Sequence, residues 1–383
     1  MNDIYKLAKS WHLYSDREVG LLKSLQNGDE TDIWIDKDSY RSNLNYINLI
    51  NNKKFYYTAA LTTGSSGEPF EMVQSPIARL KKGIEYFSWL SKLRNGSPQI
   101  LMWRNKQPSL KQRMEIAAGR LKLIPLYDIK DPHRSTFDST KASEIFATCK
   151  PFSGGVLRTY VSVLTWLCQE FGMKLMELNL KAVIASAETL TEKDWNLIEA
   201  CFGCPCINLY GGTEAAPIAA STLTSRNMYI FKNIFKVNTS KDQNYQRIIV
   251  TDYFNYAMPL VSYAIGDLTS GMGEDSNGLY LKDVVGRVSE MIENVRGEKM
   301  TSHFVHIVFR DLPEIRRYRL HWHRPGLISL LIETLGGSRI SADAYSAITS
   351  RFADNGFEIY RMTEGQIEQL DGFKHRAIIR AKL

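Results

Sequence analysis

The chain has 383 residues, more than one hydrophobic core usually holds, so two domains or one large domain with an appendage are expected. A 44% hydrophobic and 23% charged composition is ordinary for a globular protein, and the net charge of +7 suits an anionic ligand. With no Lys/Arg run of five, no apolar h-region after Met1-Asn2-Asp3-Ile4 and no stretch long enough to span a bilayer, neither nucleic acid nor membrane is expected as a partner. Five cysteines, an odd number in a large chain, indicate a reducing compartment and a cytoplasmic protein.

Residues 1–55 are mixed and polar with aromatic anchors at Trp11, Tyr14 and Trp34, and read as a helical lead-in. Phe55-Tyr56-Tyr57-Thr58 is β-prone, and Phe70-Glu71-Met72-Val73 alternates, so the Gly/Ser/Thr segment at 62–69 should join two strands. From Pro76 to Leu93, Ile77, Leu80, Ile84, Phe87, Leu90 and Leu93 recur every three or four residues, which predicts an amphipathic helix with these residues inward. Ile100 to Trp103 reads as a short buried strand. Residues 157–171 read as a helix presenting Tyr160, Val163, Leu164 and Leu167 on one face.

The middle of the chain alternates. Ala182–Ala185 is a strand, Thr191–Phe202 a helix with Thr191 as N-cap, and Cys206–Tyr210 the next strand. This βαβ order implies an α/β core, and Ile248–Thr251 adds a strand. After Arg287 the texture changes. Tyr318–Trp322 and Leu327–Ile332 flank His323-Arg324-Pro325-Gly326 as a hairpin, followed by a helix near 341–354 and strands near 357–362 and 376–381. That is a small α+β unit of suitable size.

Five motifs carry chemistry. Thr62-Thr63-Gly64-Ser65-Ser66-Gly67 offers hydroxyls and close backbone approach to a phosphate, yet lacks the Gly-Lys-Ser/Thr of a P-loop and reads equally as a polar hairpin turn. Tyr210-Gly211-Gly212-Thr213-Glu214 follows a strand, where α/β sheets bind ligands; Thr213 suits a phosphate and Glu214 a Mg²⁺, although a tight strand-to-helix turn has the same composition. Asp267, four residues after Tyr263, suits both hydroxyls of a ribose, and Arg287 a phosphate. Lys374, in Gly372-Phe373-Lys374, suits a mobile point charge or a solvated basic tail. His321 and His323 lack metal-ligand partners in sequence, and Cys201, Cys204 and Cys206 read as buried structural cysteines.

The order and spacing of these motifs resemble the acyl-adenylate-forming superfamily of acyl-CoA synthetases and adenylation domains, and within it the phenylacetate–CoA ligase-like branch with its capsular-polysaccharide members. The resemblance covers roughly residues 55–295 and the last fifteen. It adds Lys150-Pro151 ahead of the first core strand, Ala187-Glu188 at the nucleotide pocket, and Met258 to Asp267 as the ribose-binding strand and loop. It implies a large N-terminal α/β adenylate-forming domain (1–288) and a small mobile C-terminal α+β domain (289–383).

By that resemblance Thr62, Thr63, Gly64, Ser65, Ser66, Gly67, Ala187, Glu188, Asn208, Tyr210, Gly211, Gly212, Asp267 and Arg287 bind ATP, Glu214 holds Mg²⁺, and Thr213, Glu214 and Lys374 serve catalysis. Phe152, Tyr160 and Gly211 are candidates for the acid pocket. The implied reaction activates a carboxylic acid as its adenylate and passes it to the thiol of coenzyme A or an acyl carrier protein. Transfer to an amine is the alternative, and Arg310, Arg316, Arg317 and Arg319 are candidates for docking a carrier. The chain departs from the pattern at the hinge, where Ser289 replaces the usual Asp or Lys, and just before the lysine, where Phe373 replaces the family's glycine. Ser221 and Asn227 stand where some members carry Cys and His, so zinc is not expected. Retention of Glu214, Asp267, Arg287 and Lys374 together argues against a non-catalytic scaffold.

Overall fold

The computed structural model describes residues 2–62, 70–103, 108–126, 139–242, 244–309, 312, 314–334, 337–367 and 378–380. A nine-stranded mixed sheet forms its centre. Five parallel strands carry the site: β1 (Gln99–Trp103), β2 (Leu121–Pro125), β3 (Val156–Tyr160), β4 (Ala182–Ser186) and β5 (Cys206–Tyr210). They lie in the order β2-β1-β3-β4-β5, and short antiparallel strands extend the sheet beyond β5. Strand β4 is buried along its whole length, as expected for a parallel strand covered on both faces.

Helices α1 (Val161–Phe171) and α2 (Glu192–Phe202) follow β3 and β4. Thr191 caps α2 by accepting the amide of Asp194, as its sequence position predicts, and Gly203 ends the helix in the left-handed conformation. Residues 157–160, expected at the start of one long helix, instead belong to β3. Val156, Thr159 and Tyr160 are β-branched or aromatic, and the segment is paired on both sides by β1 and β4, which outweighs the helical spacing that continues only from Val161.

The N-terminal helices 2–10, 16–24, 37–41 and 44–51 pack around Tyr40, which is fully buried and meets Trp11, Tyr46, Phe70 and Tyr263. Strands Thr58–Thr62 and Phe70–Gln74 pair antiparallel, so the intervening segment does join two strands. The helix Pro76–Arg94 is present, but its orientation differs from the expected one. Ile77, Leu80, Ile84 and Phe87 point outward, at 37–62% exposure, while Ala78, Lys82, Leu90 and Leu93 are buried. Lys82 is turned inward by an ion pair with fully buried Asp252 at 2.6 Å.

A second, antiparallel sheet contains Phe235–Asp242, Tyr245–Asp252, β6 (Tyr263–Thr269) and β7 (Gly286–Arg287). Beyond it, β8 (Ile315–Arg324) and β9 (Leu327–Thr334) form the expected hairpin and pair in parallel with Ile378–Arg380 and Glu358–Glu364 respectively. Helices Ser302–Phe309 and Ala342–Asp354 cover that sheet, and Phe304, Val308, Phe309, Leu320, Leu330, Ile348 and Phe352 form a core separate from those of the larger part. The five cysteines are free and buried, including Cys201, Cys204 and Cys206.

Candidate active site at the carboxyl ends of the central strands

Three adjacent parallel strands end on one cleft of about 310 Å³. After β3 come Val161 and Ser162, after β4 Ala187 and Glu188, and after β5 Gly211, Gly212, Thr213 and Glu214, all lining it. Strands aligned in parallel deliver their following loops to the same edge, which is where open α/β sheets bind ligands. The turn after β5 needs its glycine: a Cβ on Gly211 would sit 3.0 Å from the carbonyl of Ala215 and from Ala216. Ala187 adopts a left-handed φ of 68°, an unusual conformation for a residue with a Cβ and one that clusters at binding sites.

The second sheet supplies the opposite wall. Asp267 on β6 faces Arg287 on β7 as direct cross-strand neighbours. The Tyr210 hydroxyl donates to Asp267 Oδ2 at 2.8 Å, and Arg287 Nε approaches Asp267 Oδ1 at 3.4 Å. Burial pushes the Asp267 carboxyl above its ordinary range and Glu214 adds to the rise, while Arg287 and the tyrosine hydroxyl oppose it. Gly286 holds φ at +129°, and a side chain there would collide with the hydroxyl of Ser302, another cleft residue.

Two anchors were not legible in the sequence. Ile35 pairs with β6: its amide donates to Ser262 and its carbonyl accepts from Ala264. Asp36 then caps the short helix Lys37–Arg41, and this places the Lys37 ammonium 2.6 Å from buried Glu214. Ser162, bound by Glu188, is the other case. The Glu188 carboxylate accepts the Ser162 amide at 2.7 Å and hydroxyl at 3.0 Å, so it closes the N-terminus of α1, where the helix dipole favours negative charge. No local pattern in the sequence marks Lys37 or Ser162.

Of the expected site residues, Ala187, Glu188, Asn208, Tyr210, Gly211, Gly212, Thr213, Glu214, Asp267 and Arg287 line this single cleft. Phe152 and Tyr160 do not. Tyr160 is buried beneath the cleft, stacked on Trp103 at 4.3 Å, and Phe152 packs against the core of the central sheet. Thr62 ends its strand, and Thr63, Gly64, Ser65, Ser66, Gly67 and Lys374 lie outside the described residues. The arginines proposed for carrier docking also differ from expectation. Arg319 is buried and Arg316 and Arg317 line the cleft, while Arg310 lies outside the described residues.

Among the described residues no group of three His, Cys, Asp or Glu stands ready for a metal, and His323 is hydrogen-bonded to Ser329. A single carboxylate such as Glu214 nevertheless fits Mg²⁺, which takes one or two protein carboxylates and completes its shell with substrate phosphates and water. Among the described residues no helix is long and apolar enough to cross a membrane.

No family model matches the chain. Protein CapK of Staphylococcus aureus is 23% identical over 270 residues, 68% of this chain and 59% of that protein, so the match spans less than two thirds of the relative's length. Among solved structures, 2-hydroxyisobutyryl-CoA ligase in its postadenylation state superposes with a TM-score of 0.71 at 14% identity, covering 99% of this chain and 85% of that one. The same ligase in its thioesterification state, in complex with CoA, gives 0.54 at 14% identity with 98% and 85% covered. The protein has the fold of the AMP-forming acyl-CoA ligases.

Proposed function

We propose that the protein joins a carboxylic acid to a thiol in two steps, through an acyl-adenylate. The observation that carries this reading is the convergence of Tyr210, Asp267, Arg287 and the Gly211–Glu214 turn on one cleft, in a chain with the fold of acyl-CoA ligases. A carboxylate paired with an arginine and a tyrosine, at the edge of a parallel sheet, suits a nucleotide's ribose and phosphates.

In the first step a carboxylate oxygen of the acid attacks the α-phosphorus of ATP, the bond to the β-phosphate bridging oxygen breaks, and pyrophosphate leaves. Negative charge grows on the phosphoryl oxygens, so preorganised donors and cations in a closed site lower the barrier most. Asp267 accepts the ribose hydroxyls, Arg287 faces the phosphates, and Thr213 donates to the α-phosphate. Lys374 aligns the two anions, with Thr62 to Gly67 on the outer phosphates. Glu214 would hold Mg²⁺, which when bound offsets phosphate charge. In the second step the thiolate attacks the acyl carbonyl and AMP leaves. Turning about Ser289 exchanges the face that the C-terminal part offers to the cleft.

Coenzyme A or a carrier-protein thiol serves as acceptor. Five unpaired buried cysteines support a reducing, cytoplasmic setting. The test is acid-dependent ATP–pyrophosphate exchange, with Lys374→Ala as the control that loses exchange and keeps ATP binding.

A further inference from the structure

Arg317 is a half-buried cation on the wall of the cleft. It lines the cleft, yet among the described residues its guanidinium makes no hydrogen bond and no ion pair. The two carboxylates near it are otherwise engaged. Glu333, its cross-strand neighbour, takes Arg316 at 3.1 Å on one oxygen and the Ile367 amide at 3.0 Å on the other. Glu188 is held by the amide and hydroxyl of Ser162. Burial lowers the pKa of the Arg317 guanidinium, the adjacent Arg316 adds to this, and Glu333 and Glu188 act against it. A five-donor fork on the cleft wall, meeting no protein acceptor among the described residues, suits an anion of matching shape.

The local backbone explains how two successive residues reach one cleft. In a regular strand Arg316 and Arg317 would point to opposite faces. The pairing of β8 with β9 shifts register between Ile315 and Arg317, and such a bulge re-aims side chains. Arg316 is then spent on structure, reaching Gln169 of α1 at 3.2 Å as well as Glu333. Arg317 is left facing the cleft.

We propose that Arg317 anchors a second anionic group on the acid substrate, so that the protein selects dicarboxylic or similarly doubly anionic acids over plain monocarboxylic ones. This rests on the ligase reading above. The acid, rather than the acceptor, is the ligand assigned because Arg317 lines the same cleft as Ser162, Glu188 and the Gly211–Glu214 turn, where the carboxylate must lie to meet the nucleotide.

The experiment is titration calorimetry of matched acid pairs: malonate against propionate, succinate against butyrate, phthalate against benzoate. The intact protein is saturated with α,β-methylene-ATP, whose own binding is measured first. If that nucleotide does not bind, the ligase reading falls, and the acid pairs are compared on the free protein regardless. At least one dianion should bind about 10- to 100-fold more tightly than its monoanionic partner. Arg317→Ala should erase that preference without changing nucleotide affinity, and Arg317→Lys, which keeps charge but not the fork, should retain part of it. Equal binding within every pair, or a preference that survives Arg317→Ala, overturns the proposal. So does an effect of Arg317→Ala confined to coenzyme A, seen as a lost difference between coenzyme A and dephospho-coenzyme A.

Discussion

Asp267 is placed where its charge state decides what the cleft can hold. It is flanked by a donor hydroxyl on Tyr210 and a cation on Arg287, yet burial still drives its pKa upward. A raised pKa means that the carboxylate takes up a proton at a higher pH than an ordinary aspartate would. Only the ionised form accepts from both hydroxyls of a ribose. ATP should therefore bind well near neutrality and weaken as pH falls through a range above the usual carboxylate values. In Asp267→Asn that component of the pH dependence should vanish, with affinity at neutral pH lowered about tenfold or more. Calorimetric titration of ATP from pH 7.5 down to pH 5 reads both effects, and an unchanged pH profile in the variant would show that Asp267 is not the titrating group. At this scale the sequence was informative wherever a residue sits in a contiguous motif, as Tyr210, Glu214 and Asp267 do. It was silent on Lys37 and Ser162 and gave Arg317 only as a docking candidate, because each becomes part of the cleft only through a contact made elsewhere: the Ile35 bridge, the Glu188 cap and the bulge in β8.

The helix Pro76–Arg94 shows what periodicity does and does not determine. A three-and-four spacing of apolar residues establishes a helix and a stripe, but it does not say which side faces the core. Here the Lys82–Asp252 pair lies beneath the helix, and the outward stripe keeps Leu80 and Ile84 more than half exposed. The ammonium and carboxylate meet at 2.6 Å as a contact of charges without hydrogen-bond alignment at Lys82 Nζ. Removing one partner would strand the other in the interior. Lys82→Ala should therefore lower stability by about 3–5 kcal/mol, whereas Ile84→Ser should change it by less than about 1 kcal/mol. Urea denaturation of both variants tests the orientation, and the reverse ranking would mean that the stripe, not the lysine, faces the core. Strand β3 failed to be legible for a related reason. Its five residues run straight into α1, and so short a segment has no clear period of its own.

At the scale of the whole molecule, polar contacts tie the C-terminal residues to the helices of the central sheet. Lys193 of α2 reaches the carbonyls of Phe309 and Leu312 at 3.5 and 3.4 Å, and Arg316 reaches Gln169 of α1 at 3.2 Å. Polar contacts of this kind are worth about 1 kcal/mol each, enough to bias the proposed turning about Ser289 without locking it. The double variant Lys193→Ala, Gln169→Ala should therefore slow the adenylation half-reaction about 3- to 30-fold while leaving transfer from preformed adenylate to thiol unslowed. Equal slowing of both steps would mean that these contacts support folding rather than one arrangement. ATP–pyrophosphate exchange across a panel of mono- and dicarboxylic acids, with Lys374→Ala beside the intact protein, tests the central claim most directly. Acid-dependent exchange that disappears in Lys374→Ala, with ATP still bound, is the predicted result. Exchange at an undiminished rate in the variant, or bound ATP with no exchange for any acid, would contradict it.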